Sequence, residues 1–186
     1  MSNTKLWKSR RNLLLLFSIF IVPVVLAKLA LDNDWFNKAS TNSGDLLQQE
    51  LSVSQLDITD EALQKKWLII YRLPVSCDEN CKQTIYGINQ TFISLGREMD
   101  RVIPLGLYAE ETNTDELGVL KEEFWKFNLL SAASKDQLES NWVYVSDPLG
   151  NVILKYAAPT SNEEVLSLGK AMLSDLRKLL KYSRIG

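Results

Sequence analysis

Cys77 and Cys81 are the only cysteines in the chain, and three residues stand between them. Thiols are both strong nucleophiles and soft ligands, so a close pair supports two chemistries: reversible disulfide exchange and ligation of Cu(I). Residues i and i+4 on a helix share a face with Cα atoms about 6 Å apart, inside the range a disulfide bridges. A loop running into a helix's first turn reaches the same separation. A bridge over so few residues removes little chain entropy, so stability alone explains it poorly. The chain has no histidine, which excludes histidine-containing triads and histidine-ligated zinc or copper sites. Cysteine, carboxylate and methionine remain as ligands. Met99 and Met172 are soft donors whose ordinary use is core filling. Asp78 and Glu79, between the cysteines, oppose a thiolate electrostatically while a helix start favours it, and the residues alone leave that balance open.

The elements that present this pair follow from pattern. Trp67 to Leu73 is a short apolar run rich in β-branched and aromatic residues, as expected of a strand buried on both faces, and Pro74 ends it. The segment Lys82 to Met99 has helical spacing, with Ile85, Ile88, Phe92 and Leu95 as its apolar stripe. The order is therefore strand, cysteine loop, helix, and the unpaired N–H groups of a helix start are where a thiol titrates low. Asn89-Gln90-Thr91 matches a glycosylation sequon but falls inside the predicted helix.

Around this unit, Leu51 to Val53 reads as a short strand and Asp60 to Lys66 as a connection. Arg101 to Tyr108 is a second core strand, and Thr114 to Phe127 is a predicted helix capped by Asn113 or Thr114. Glu110-Glu111 and Glu122-Glu123 read as solvated faces, and Trp125 and Phe127 as packing residues. Trp142 to Ser146, the turn Asp147-Pro148-Leu149-Gly150-Asn151 and Val152 to Tyr156 form a hairpin. Ser161-Asn162-Glu163-Glu164 is a capping box opening a last helix, whose apolar face is Val165, Leu168, Met172, Leu176 and Leu179. Strands and helices alternating in this order point to an α/β fold, a thioredoxin-like sandwich spanning residues 46–186.

The amino end reads as a membrane anchor. Lys5, Lys8, Arg10 and Arg11 make residues 1–12 basic, and the apolar run of residues 13–31, interrupted by Lys28, matches one bilayer core in helical rise. Basic residues on that side predict a cytoplasmic N-terminus and a domain on the far side. Pro23 bends rather than breaks such a helix. A cleavable signal peptide shares the basic start, but Lys28 interrupts the only alanine pair, Ala27 and Ala30. Residues 32–45 read as a polar tether, with Trp35 and Phe36 at the interface. With 21 basic against 23 acidic residues, no cationic excess exists to neutralise phosphates, so no nucleic-acid partner is expected.

Cys77-Asp78-Glu79-Asn80-Cys81 behind a hydrophobic strand, the N-terminal anchor and the hairpin from Trp142 to Asn151 together resemble the Sco/SenC family of membrane-anchored, thioredoxin-fold proteins that assist cytochrome c oxidase assembly. The likeness covers approximately Leu46 to Tyr182. It implies that Cys77 and Cys81 bind copper and cycle between dithiol and disulfide. It also implies an oxidase subunit or other assembly factor as partner, and a bacterial inner-membrane protein with a periplasmic domain. Two departures stand out. Family members add a ligand histidine where this chain has Leu138 to Asn141, and their spacer contains proline where this one has Asp-Glu. Three functions follow: an oxidase assembly factor using Cu(I) or thiol exchange, a general extracytoplasmic thiol–disulfide oxidoreductase, or an inert membrane-tethered interaction module. The C-x-x-x-C spacing differs from the C-x-x-C usual in oxidoreductases.

Overall fold

The computed structural model describes residues 3–33, 42–58, 60–113 and 124–185, with only the backbone described for residues 3–9. It divides into two units, Met1–Thr41 and Asn42–Gly186. The first holds helix α1 (Asn3–Asp32), with Pro23 inside it. Its stretch Arg10–Asp32 is long and apolar enough to cross a membrane, and its large apolar side chains from Leu13 to Leu31 lie exposed, as expected of a helix whose solvent is lipid. Trp35 and Phe36 lie outside the described residues.

The second unit is built on a six-stranded sheet. Its strands are β1 (Asp45–Leu46), β2 (Trp67–Arg72), β3 (Val102–Tyr108), β4 (Lys126–Leu129), β5 (Trp142–Ser146) and β6 (Val152–Ala157), in the spatial order β1-β6-β5-β2-β3-β4. β2 pairs in parallel with β3 and antiparallel with β5, so it lies in the middle of the sheet. That position explains its unbroken apolar run. Every residue of β2 is buried, and by alternation the side chains serve two cores. Trp67, Ile69 and Tyr71 meet Ile85, Ile88 and Phe92 of α2 (Glu79–Ser94) and Leu168, Met172 and Leu176 of α3 (Asn162–Tyr182). Leu68 and Ile70 meet Leu105, Leu107, Tyr144 and the 3₁₀ segments Val53–Leu56 and Glu61–Leu63 on the opposite face.

Small residues set the closest approaches. Gly87 and Gly169 bring the helices together: Thr91 of α2 donates to its own Gly87 carbonyl at 2.8 Å and reaches the Gly169 carbonyl of α3 at 3.4 Å. A Cβ on Gly106 in β3 would lie 2.6 Å from the Phe127 ring of β4. Ser161 caps α3, accepting from the Glu164 N–H at 3.3 Å. Glu164 turns its carboxylate to the Thr160 N–H and hydroxyl, at 2.7 and 2.9 Å, so the cap closes one residue earlier than a regular capping box would.

Three expectations need correction. Leu51 to Val53 forms no strand: Ser52 makes one isolated bridge to Asn151, and the chain then winds into Val53–Leu56, because Ser52 and Gln55 cap each other. The helix after the cysteines begins at Glu79, three residues earlier than Lys82, and ends at Ser94. Leu95 and the left-handed Gly96 (φ +60°) then open a 3₁₀ segment, Gly96–Arg101. The last part of the helix predicted over Thr114 to Phe127 is strand β4, in parallel register with β3 from Leu105↔Lys126. The sheet's open edge outweighs local helical spacing there. Residues 114–123 of that prediction, with Glu122 and Glu123, lie outside the described residues.

Candidate functional site

The cysteine loop leaves the sheet at the carboxyl end of β2, the end where open α/β sheets present ligand-binding loops. Backbone bonds fix it on both sides: Leu73 N–H donates to the Leu107 carbonyl at 2.9 Å, and Asn113 N–H to the Val75 carbonyl at 2.9 Å. The chain then turns into α2 through Asp78, the helix N-cap (φ −71°, ψ −173°), whose carboxylate Oδ1 accepts the Cys81 N–H at 2.9 Å. Cys77 thus stands just before the cap and Cys81 inside the first turn.

This placement brings the two sulfurs together. Cys77 and Cys81 form a disulfide with Cα atoms 5.1 Å apart, within the usual range. Cys81 is fully buried, whereas Cys77 keeps 7% of its surface open to solvent. Both belong to the core cluster over Tyr71, Ile85 and Trp125, so a reagent approaches the pair from the Cys77 side. Val75, Ser76, Asp78, Glu79 and Lys82 are exposed around it.

Two further groups build the floor and were not legible as site residues in the sequence. The Tyr71 hydroxyl donates to Asn141 Oδ1 at 2.7 Å, and Asn141 N–H donates to the Arg72 carbonyl at 2.8 Å. Asn141 adopts a left-handed conformation (φ 61°), which asparagine tolerates better than most residues. Burial pushes the Tyr71 phenol well above its usual range, the Thr84 hydroxyl opposing and the Asp78 carboxylate adding to the effect. Tyr71 therefore stays a neutral donor and pins the entry of β5. Arg72, on the opposite face of the sheet, is buried and donates to the Leu73 carbonyl at 2.8 Å. Burial draws its guanidinium below the usual value, against the pull of Glu111 and Tyr144.

The metal-binding expectation meets this geometry directly. Among the described residues, no group of three or more cysteine, aspartate or glutamate side chains could hold a metal ion. The segment where a ligand histidine would fall is occupied by Leu138, buried in the second core, and by Asn141, engaged with Tyr71. Cu(II), which favours imidazole, has no fitting donor set here. Two thiolates of a reduced pair remain a chemically adequate set for Cu(I) alone. Met172 is completely buried in the main core and Met99 packs against it; both fill space. Trp125 stacks on Phe127 at 5.8 Å and donates to Asn89 at 2.6 Å, so the sequon asparagine is used inside the fold.

A model of the transmembrane-like, thioredoxin-like, C-terminal domain matches residues 67–183, well over half of the chain. The protein belongs to that family. The matched stretch of this transmembrane-like, thioredoxin-like domain starts at β2 and takes in the cysteine loop, both helices of the main core and the β5-β6 hairpin. The fold is thus a thioredoxin-like α/β fold, and the chain carries one N-terminal helix long and apolar enough to cross a membrane.

No curated protein matches the sequence. Solved structures resemble the domain at low identity. BsSco, a member of the Sco family of cytochrome c oxidase assembly proteins, is 13% identical over 76% of this chain and 98% of its own, with a TM-score of 0.49. ScoI from Bradyrhizobium japonicum, solved with copper bound, is 14% identical over 73% and 98%, with a TM-score of 0.42. A thiol-disulfide isomerase from Corynebacterium glutamicum is 17% identical over 71% and 97%, with a TM-score of 0.37.

Proposed function

We propose that this protein is a membrane-anchored thiol–disulfide exchange protein whose working pair is Cys77 and Cys81. The observation that carries the reading is the joining of these two sulfurs at a strand-to-helix junction, where Cys81 is fully buried and Cys77 keeps a small opening to solvent. The dithiol form acts on a client disulfide. The Cys77 thiolate attacks one client sulfur, the client S–S bond breaks, and the released client thiolate takes a proton. Cys81, losing its own proton, then attacks Cys77 Sγ and displaces the second client thiol. Two electrons and two protons pass to the client, and the Cys77–Cys81 disulfide is left. An extracytoplasmic thiol reductant restores the dithiol.

The basic residues Lys5, Lys8, Arg10 and Arg11, ahead of the apolar run within α1, support a cytoplasmic N-terminus and a domain in the periplasm of a bacterial inner membrane. The resemblance to Sco/SenC proteins makes an oxidase subunit the client to test first. Cys81→Ala tests both points, because it stalls the reaction at the mixed disulfide on Cys77. In membranes, an oxidase subunit recovered on Cys77 supports assembly work. Other secreted clients favour general oxidoreductase work, and recovery of no disulfide-linked client refutes the proposal.

Copper as cargo is the second reading, favoured by the meeting of two soft donors in one turn of chain. Anaerobic Cu(I) titration of the reduced protein, beside Cys77→Ser with Cys81→Ser, decides it. Equal uptake by the two proteins ends it.

A further inference from the structure

We infer that Asp78 is a positioning residue that makes the Cys77/Cys81 pair an electron donor to client disulfides. The inference rests on the thiol–disulfide reading above and names the residue that sets its direction. The potential of a dithiol pair rises when the protein stabilises the reduced thiolate, and a helix start does this through the free N–H groups of its first turn. Here the Cys81 N–H is not free: Asp78 Oδ1 accepts it at 2.9 Å. The same carboxylate follows Cys77 directly in the chain and places a negative charge beside the sulfur that would ionise. Glu79 adds a second acidic group in the first turn. Lys82 is an exposed counter-charge on the next turn, and Glu110 and Glu111 lie on the loop tied to Val75 through Asn113.

Asp78 therefore takes the donor that a thiolate would use and repels the thiolate as well. Both effects raise the free energy of the reduced state and leave the disulfide unaffected. The favourable direction moves two electrons and two protons from the dithiol to a client disulfide, whose S–S bond breaks as the Cys77–Cys81 bond forms. A thiol reductant outside the membrane supplies the next pair of electrons.

The test uses the full-length chain in detergent micelles, equilibrated with reduced and oxidised glutathione, with the oxidised fraction read by alkylation and mass. Asp78→Asn keeps a side-chain oxygen for the cap, since asparagine caps as well as aspartate, and removes only the charge. The expected result is an equilibrium shifted roughly tenfold toward the dithiol, a potential raised by about 30 mV. Asp78→Ala, which also frees the Cys81 N–H, shifts it further in the same direction. Asp60→Asn, at the cap of Glu61–Leu63, leaves the equilibrium where it was. A purely structural role for Asp78 would lower stability in Asp78→Ala and leave the potential of Asp78→Asn unchanged; that unchanged potential overturns the inference. A wild-type pair that fails to equilibrate with glutathione while folded overturns the thiol–disulfide reading itself, so the two failures are distinct.

Discussion

Reducing the Cys77–Cys81 disulfide removes little stability. The bridge joins residues four apart in sequence, and closing so short a loop takes about 2 kcal/mol from the unfolded chain's conformational entropy, against about 3 kcal/mol for a 15-residue loop. A domain of this size has roughly 5–15 kcal/mol in hand, and a buried thiol packs as a small hydrophobe. The reduced protein should therefore remain folded, as a pair that cycles requires. The assay is urea unfolding of the full-length chain in micelles, with and without a phosphine reductant, followed by tryptophan fluorescence, because Trp67 and Trp125 are buried. At an m-value of about 2 kcal/mol/M the midpoint should fall by about 1 M with the slope unchanged. Cys77→Ala with Cys81→Ala should fall somewhat further, since it deletes sulfur from a packed site. Serine is a poorer probe at Cys81, where its hydroxyl would be sealed from water. A loss above about 4 kcal/mol on reduction, larger than loop closure can supply, would show that the bridge holds the fold together and would refute this reasoning.

Two more predictions concern the frame around the site. Asp175, fully buried on α3, accepts the Ser43 and Gly44 N–H groups at 2.8 and 2.9 Å and the Tyr156 hydroxyl at 3.0 Å. Asp175→Ala leaves the Gly44 and Tyr156 donors buried and unpaired, which should cost about 2–4 kcal/mol in urea unfolding and speed proteolysis next to Ser43. Glu164 is held below its usual carboxylate range, first by the Thr160 N–H and then by the Thr160 hydroxyl. A depressed folded-state value means stability present in full above the unfolded value of 4.5 and lost as pH falls through the folded one. Glu164→Gln should therefore lower the midpoint slightly at neutral pH and converge with the wild type at acid pH, which flattens the acid limb of a midpoint-against-pH curve.

What the sequence revealed and what it hid have physical reasons. The central strand was legible because burial on both faces demands an unbroken apolar run. Helices α2 and α3 were legible because Ile85, Ile88 and Phe92, and Val165, Leu168 and Met172, keep helical spacing. Asp78 carried a readable signal, an acidic cap followed by an acidic first turn, but the cysteines drew the helix start to Lys82. Asp175 also had one: it stands three residues after Met172 on the apolar stripe, where a carboxylate requires partners. Those partners, Ser43 and Gly44, are more than 130 residues away in sequence, and no local pattern reveals them. The same holds for Tyr71 and Asn141, 70 residues apart. Strand β4 was missed because an edge strand with half-exposed residues has no strong period of its own and takes its form from β3.

The most direct test is the rate at which dithiothreitol reduces Cys77–Cys81 in the native full-length chain as urea is raised through the region below unfolding. If Cys77 is the open door to the pair, reduction runs readily without urea and changes little until the transition begins. A rate that is negligible in water and climbs in step with the unfolded fraction would mean that both sulfurs are reached only when the domain opens. That result would contradict thiol–disulfide exchange as the work of this protein.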